Sequence, residues 1–443
     1  MRPTQATRAR LTVRSVLAVM AAALLLGACG SAQKPPATRS TTTTTTKPVT
    51  PQIDIYSALP TVGKSQLAQD GRAVERGIDL ALGALTDHRR IDGFHLTYRR
   101  FRDPVMSDGT TNPVVAAAHA RAAAIDPRAI LFIGGLDAGA TQASAPILNE
   151  AGIAQISPGS LSVGLSESVK DLTAENEPQR YFPTGTRTLF QLMPNDAVQA
   201  EADLDQAKQA DCVKVVAAAE TDTEGAVIVG LMADDQKQYG LTVVPETNWT
   251  GKPGSVATFA GALRQVAGAC FVIAAPLTPE VKQLTHTLHA ELPQDMILGT
   301  NTLCTRAWVR AVEAGTPATA DARLYCTAPT LKLSDYAGAQ QVSQIAALYR
   351  HAYGRGAMSA YVLYGYQAVA VAVDAILATG DGADDRSEIL EEVASDSYDS
   401  PLGAFKFTAL GTTTLRYYGL YQANAHGGLE FDKTLKLPSS GTA

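Results

Sequence analysis

The sequence predicts an α/β protein made of two doubly wound lobes, and three observations carry that prediction. Short β-branched runs alternate with stretches whose apolar residues recur about every 3.6 positions. The helical stretches between strands have the 10- to 15-residue spacing, roughly, of parallel sheets covered on both faces. The alternation runs through once and restarts after Arg187.

In the first pass, Ile53 to Tyr56 read as a strand, and Val74, Ile78, Ala81, Leu82 and Leu85 mark one face of a helix. Leu96 to Phe101 form the next strand. Asn112 then caps and Pro113 opens a helix that carries Val114, Ala118, Arg121, Ala122 and Ile125. Ile130 to Ile133 make a third strand that ends in Gly134-Gly135 and leads to a helix with Ile147 and Leu148, closed by Gly152. Ile153 to Ile156 form a fourth. The second pass places strands near Val213 to Ala218, Leu241 to Val244, Cys270 to Ala274, Met296 to Leu298 and Leu324 to Thr327. In such sheets a ligand binds beyond the carboxyl ends of the strands, where loops and helix N-termini converge.

The chain has 443 residues, 46% hydrophobic and 18% charged, a globular composition that excludes a disordered or fibrous protein. Residues 1–28 hold Arg2, Arg8, Arg10 and Arg14, then the apolar run Val16 to Leu26, and read as a signal peptide too short to be a stable membrane span. Its removal leaves 33 basic against 43 acidic residues, which argues against nucleic acid as a partner. No later uninterrupted apolar run approaches the roughly 20 residues of a spanning helix. Residues 29–52 contain Pro35-Pro36 and a threonine run from Thr41 to Thr46, with almost nothing to bury, and read as a disordered tether.

Leu26-Gly27-Ala28-Cys29 resembles the lipobox of bacterial lipoproteins, which implies a lipid on Cys29 and an exported protein anchored at the outer face of the membrane. The run from Ile147 to Pro158 (ILNEAGIAQISP) resembles the type 1 periplasmic binding proteins, in particular the leucine/isoleucine/valine-binding group of ABC importers. The resemblance extends through Gln69-Asp70-Gly71, Phe132-Ile133-Gly134-Gly135, Gly365-Tyr366-Gln367-Ala368 and Tyr418-Gly419-Leu420-Tyr421. It implies three crossings between lobes, near Tyr181 to Arg187, Pro329 to Leu333 and Gly403 to Thr408. Lobe 1 is then 53–182 plus 331–403, and lobe 2 is 183–330 plus 404–443. The implied activity is capture of a small polar, amino-acid-like solute by lobe closure and delivery to an ABC permease, without a cofactor. A sensing ectodomain of the same fold is the alternative.

The chemical motifs are few. Val62-Gly63-Lys64-Ser65 imitates the end of a phosphate loop but has Ala58 where the pattern requires glycine, so it reads as a rim of the cleft. His286 and His289 lack further metal ligands and read as a solvated helix surface. No G-x-S-x-G or H-E-x-x-H pattern supports an enzyme. Eleven of the fifteen tyrosines follow residue 320, which helical packing explains for most.

The resemblance places the ligand against Gln69, Asp70, Leu136, Asp137, Ala138, Gly159 and Ser160 of lobe 1, and against Thr223, Leu277 and Asn301 of lobe 2. The family's carboxylate-holding hydroxyls and ammonium-holding acid fall at Ala138, Leu161 and Asn301, none of which has the required group. Ser160, Ser162 or Thr141 restores the clamp if the register shifts. Otherwise amides near Ala138 to Ala140 remain for an anion, and Asp70 and Asp137 for a cation. Cys212 and Cys270 begin strands of one sheet, and Cys304 and Cys326 flank one helix, so these pairings are expected; the alternative is four buried thiols.

Overall fold

The computed structural model describes residues 50–220, 223–249, 259–261, 263, 270–314 and 323–438. The signal peptide, Cys29 and nearly all of the tether lie outside them. A sheet of six strands contains β1 (Gln52–Val62), β2 (Arg90–Ile91), β3 (Phe94–Pro104), β4 (Ala129–Ile133), β5 (Ala154–Ser157) and β6 (Leu189–Gln191). Their spatial order is β2-β3-β1-β4-β5-β6, parallel except for the β2–β3 hairpin. A second sheet contains β7 (Lys214–Glu220), β8 (Thr242–Trp249), β9 (Cys270–Ala274), β10 (Ile297–Gly299) and β11 (Leu324–Ala328) in parallel. After a small separate pair, β12 (Ser397–Tyr398) and β13 (Phe405–Lys406), the chain returns with β14 (Tyr417–Asn424) and β15 (Gly428–Lys436). These complete the second sheet antiparallel, in the order β15-β14-β11-β10-β9-β7-β8.

The helices among the described residues are α1 (Gln66–Leu85), α2 (Pro113–Ala124), α3 (Ala138–Glu150), α4 (Asp196–Gln209) and α5 (Glu224–Tyr239). They continue with α6 (Pro279–Glu291), α7 (Arg306–Val312), α8 (Ala339–Tyr353), α9 (Tyr361–Thr379) and α10 (Arg386–Ser395). Hairpins aside, both sheets have the second strand outside the first and the third, fourth and fifth on the other side, the flavodoxin-like winding. Connections therefore part in opposite directions between β1 and β4, and again between β7 and β9, opening a crevice at each place. β1 shows why the central strands are easy to recognise: nine consecutive residues, Ile53 to Thr61, are buried, as expected for a strand covered on both faces.

One expectation changes here. The resemblance puts the first crossing at Tyr181 to Arg187, but β6 stays on the first sheet and the passage to α4 comes after Gln191. The stretch Tyr361–Gly382 is long and apolar enough, by length and composition, to cross a membrane, although Asp374 and several tyrosines interrupt the apolar run. Its most apolar 18-residue window is 67% buried, because α9 is a core helix lying against α1.

Late tyrosines fasten the crossings. The Tyr364 hydroxyl donates to Pro329 O at 2.8 Å, Tyr421 to Thr330 O at 3.0 Å and Tyr418 to Pro194 O at 3.1 Å. Leu331 N–H donates to the Tyr336 hydroxyl at 3.1 Å. The first and third crossings are joined side by side: Gln191 N–H donates to Gly411 O, and Thr413 N–H to Gln191 O. Disulfides join Cys212 to Cys270 and Cys304 to Cys326. The first ties the entry to β7 to the start of β9, and the second ties the loop before α7 to β11.

α1 and α9 cross at backbone contact. A Cβ on Gly365 would stand 2.1 Å from Val74 O, and one on Gly77 2.1 Å from Val362 O. Gly83, on the same α1, has nothing within 4 Å of such a Cβ. Gly365→Ala is expected to cost about 1–3 kcal/mol through forced separation of the helices. Gly83→Ala is expected to add about 0.4–1 kcal/mol by restricting the unfolded chain. Urea unfolding of the two variants beside the parent checks both signs.

Candidate functional site

The crevice of the first sheet is built by close backbone approach. Gly134, just past β4, has φ +151°, and a Cβ there would lie 2.4 Å from Ala58 O of β1. Gln155 Nε2 donates to Gly134 O and the Ser157 hydroxyl to Gly135 O, both at 2.8 Å, fixing this loop from β5. The crevice of the second sheet repeats the device: a Cβ on Gly225, at the start of α5, would fall 1.8 Å from Ala274 O of β9.

Most of the expected contact residues stand at these strand ends, but several are already engaged. Asp137 caps α3, with Oδ1 accepting from Ala140 N–H at 2.9 Å and Oδ2 from Thr111 N–H at 3.0 Å and from the Thr111 hydroxyl. Both oxygens thus hold local backbone, one at the α3 cap and one at Thr111. The cap also takes the Ala140 amide that was a candidate for an anion. The Thr223 hydroxyl caps α5 and donates to Glu220 O at 2.7 Å. Leu136 is buried, and a Cβ on Gly159 would meet its Cδ1 at 2.4 Å, so these two pack on each other.

Asp70, half-buried on α1, accepts from Gln66 Nε2 at 2.9 Å, and burial pushes its carboxyl up to about 7. Gln69 is exposed beside it. Ala138, Leu277 and Asn301 are half-buried at the mouths of their loops, and Thr302 ties the Asn301 turn to Ala275 O at 2.7 Å.

At the clamp positions, Leu161 belongs to the first core and is 7% exposed. Thr141 cannot substitute, because its hydroxyl donates to Asp137 O at 2.8 Å. The Ser160 hydroxyl is buried and meets no partner. His289 corrects the reading of a solvated surface: it is 6% exposed, and burial lowers its pKa. His286 Nδ1 lies 2.9 Å from Val312 O at the end of α7.

Residues that sequence reasoning passed over give the site its charge. Asp196, 1% exposed, opens α4, and Glu224 opens α5. Desolvation, then Glu224, pushes Asp196 up; desolvation, then Asp137, pushes Glu224 up. Behind Asp137, Asp103 meets His119 Nδ1 at 2.6 Å, and Phe101 stacks on that imidazole with ring centroids 4.2 Å apart. The only expected sign of these acids is an acidic residue in a helix's first turn, which the helix dipole explains by itself.

Two doubly wound lobes with crevices at their strand ends are joined by anchored crossings. The family model described as "Periplasmic binding protein" matches residues 59–428, and the chain belongs to that family. These are extracytoplasmic solute-binding proteins of ABC transporters, not enzymes. A leucine-binding protein of Thermotoga maritima has the same fold at TM-score 0.65 and 18% identity, over 87% of this chain and 99% of its own. A branched-chain amino acid binding protein of Streptococcus pneumoniae, in complex with isoleucine, gives 0.63 and 18% over 87% and 100%. A solute-binding protein of R. palustris, in complex with 4-hydroxybenzoate, gives 0.66 and 15% over 88% and 99%. No curated protein sequence matches the chain.

Below the site, Asp203 of α4 is fully buried, accepts from the Thr327 hydroxyl at 2.6 Å, and is pushed up to about 8 by desolvation. The native protein therefore keeps this carboxyl protonated where the unfolded chain ionises from its ordinary 3.8. Stability from this group falls as pH rises from that value toward about 8. Asp203→Asn is expected to melt above the parent at pH 7.5, with the gap closing near pH 4, in calorimetric scans across that range.

Proposed function

We propose that the protein captures a small polar organic solute between the two sets of strand ends and delivers it to an ABC import permease while held at the membrane by a lipid on Cys29. The observation that carries this reading is the duplication of the crevice, with glycine letting backbone meet backbone at Gly134 and at Gly225. The half-buried Asn301 amide and the unengaged Ser160 hydroxyl offer hydrogen bonds to a solute there, and Asn301 can both donate and accept.

The relatives' ligands differ, leucine and isoleucine in some and 4-hydroxybenzoate in another, so the fold is compatible with several classes of solute. In this chain the leucine class is disfavoured. An amino acid buried between lobes needs a partner for each charge, and Ala138 and Leu161 provide none for its carboxylate. Mass spectrometry of solute released by denaturing freshly purified protein should yield one small polar compound; repeated release of nothing contradicts the reading. In calorimetric titration, leucine, isoleucine and valine should bind over a hundredfold more weakly than in a clamped site, a loss on the order of 3 kcal/mol. Submicromolar leucine binding contradicts this. For the anchor, the parent should enter the detergent phase of a two-phase separation and Cys29→Ser should remain in the aqueous phase.

A further inference from the structure

The connection from β5 to β6 is unlike the others. Parallel neighbours are normally joined by a crossover helix, yet residues 158–188 cross with only two single 3-10 turns, Val163–Leu165 and Gln179–Tyr181. Irregular connections longer than about 12–15 residues are uncommon in compact domains and are usually functional or disordered. This one is packed into both lobes. Leu165, Tyr181 and Phe182 are buried with Ala145 of α3 and Leu189 of β6, in the first lobe. Val163 belongs instead to the core of the second lobe, and Val169 and Leu172 pack against that core.

The two attachments differ in kind. On the first lobe, Asn149 Oδ1 accepts from Thr184 N–H at 3.0 Å and its Nδ2 donates to Thr186 O at 2.7 Å, while the Glu177 carboxylate closes the base by accepting from Ala174 N–H at 3.1 Å and from the Tyr181 hydroxyl. At the far end, residues 169–173 form a turn that bonds to itself. Leu172 and Thr173 N–H donate to Val169 O at 3.1 and 3.0 Å, Val169 N–H donates to the Thr173 hydroxyl at 3.0 Å, and Asp171 is left-handed at φ +62°. The turn therefore presents apolar side chains to the second lobe. Leu172 enters a gap kept by Gly230 inside α5, where a Cβ would stand 2.2 Å from Leu172 Cδ2. Glycine destabilises a helix interior relative to alanine, and this gap is a packing reason for it.

We infer that residues 162–182 are a strap, rooted in the first lobe, whose Leu172 tip latches onto α5 of the second and biases the lobes toward each other before any solute arrives. This rests on the lobe movement of the capture reading and adds the element that regulates it. Asp196 N–H donates to Leu161 O at 2.9 Å beside the passage from β6 to α4, a contact that a rotation about the crossings leaves in place. The tip lies farther out, on the body of α5, and must leave when the lobes part. Its contact with Gly230 is apolar and non-directional, so the tip can unseat and reseat without exchanging hydrogen bonds. A contact made only with the lobes together favours that arrangement whichever solute is bound.

The test uses the full mature chain stripped of solute, as parent, Leu172→Ala and Gly230→Leu, with Leu348→Ala, a partly exposed change on α8, as control. Leu172→Ala removes the tip and keeps its turn; Gly230→Leu fills the gap that the tip enters. Small-angle X-ray scattering reads the separation of the lobes, and hydrogen exchange reads the strap. Both strap variants should show a larger radius of gyration than the parent, and Leu172→Ala should speed exchange over residues 166–175 on the order of tenfold. The control should match the parent in both. Scattering identical to the parent's in Leu172→Ala overturns the inference, and a lowered urea midpoint beside it then makes the segment packing alone. Leu172→Ala decides by itself if Gly230→Leu does not fold. No solute enters this measurement, so a protein that releases none removes the capture reading through a separate experiment and leaves the scattering result readable.

Discussion

The constraint on which the rest depends is the fastening of the crossing segments. The main chain between the sheets has carbonyls that would otherwise need water, and buried tyrosine hydroxyls supply the donors: Tyr364 to Pro329, Tyr421 to Thr330 and Tyr418 to Pro194. A tyrosine suits this place because its ring fills the core while one polar atom reaches the backbone. Tyr336, Tyr364 and Tyr417 also gather into a single group, with the Tyr364 and Tyr417 hydroxyls 3.3 Å apart and the Tyr336 and Tyr417 rings edge to face. Gln191, paired to Gly411 and Thr413, joins the first and third crossings side by side.

Electrostatics at those strand ends then sets what can be held. The polar groups of the first crevice are largely spent on its own loops: Asp137 on Ala140 and Thr111, Ser157 on Gly135, Gln155 on Gly134. What remains for a solute is the Ser160 hydroxyl on one side and the half-buried Asn301 amide on the other.

Much of the fold was legible because its central strands are continuous apolar runs; Cys270 to Ala274 matches β9 residue for residue. β6 was missed because it is three residues long, and a run that short has no periodicity to detect. The β14–β15 hairpin departs from the parallel pattern, and nothing in the strand–helix spacing announces an antiparallel closure. His289 follows Leu288 on a helix whose buried face, with Thr285, is wider than the apolar stripe Val281, Leu284 and Leu288 suggests. The candidate site was legible by position: Asp137 and Thr223 follow strands of the two sheets, where each also caps a helix, a role the sequence reading did not include. Asp196 and Glu224 were passed over because an acidic residue in a helix's first turn is explained by the helix dipole alone.

The central claim, that a solute is trapped by approach of the strand ends around fixed crossings, is tested most directly by small-angle X-ray scattering of solute-free protein and of the same sample after its native solute is restored. The account predicts a smaller radius of gyration and a shorter maximum dimension in the loaded protein. Identical scattering curves at saturating solute would contradict it.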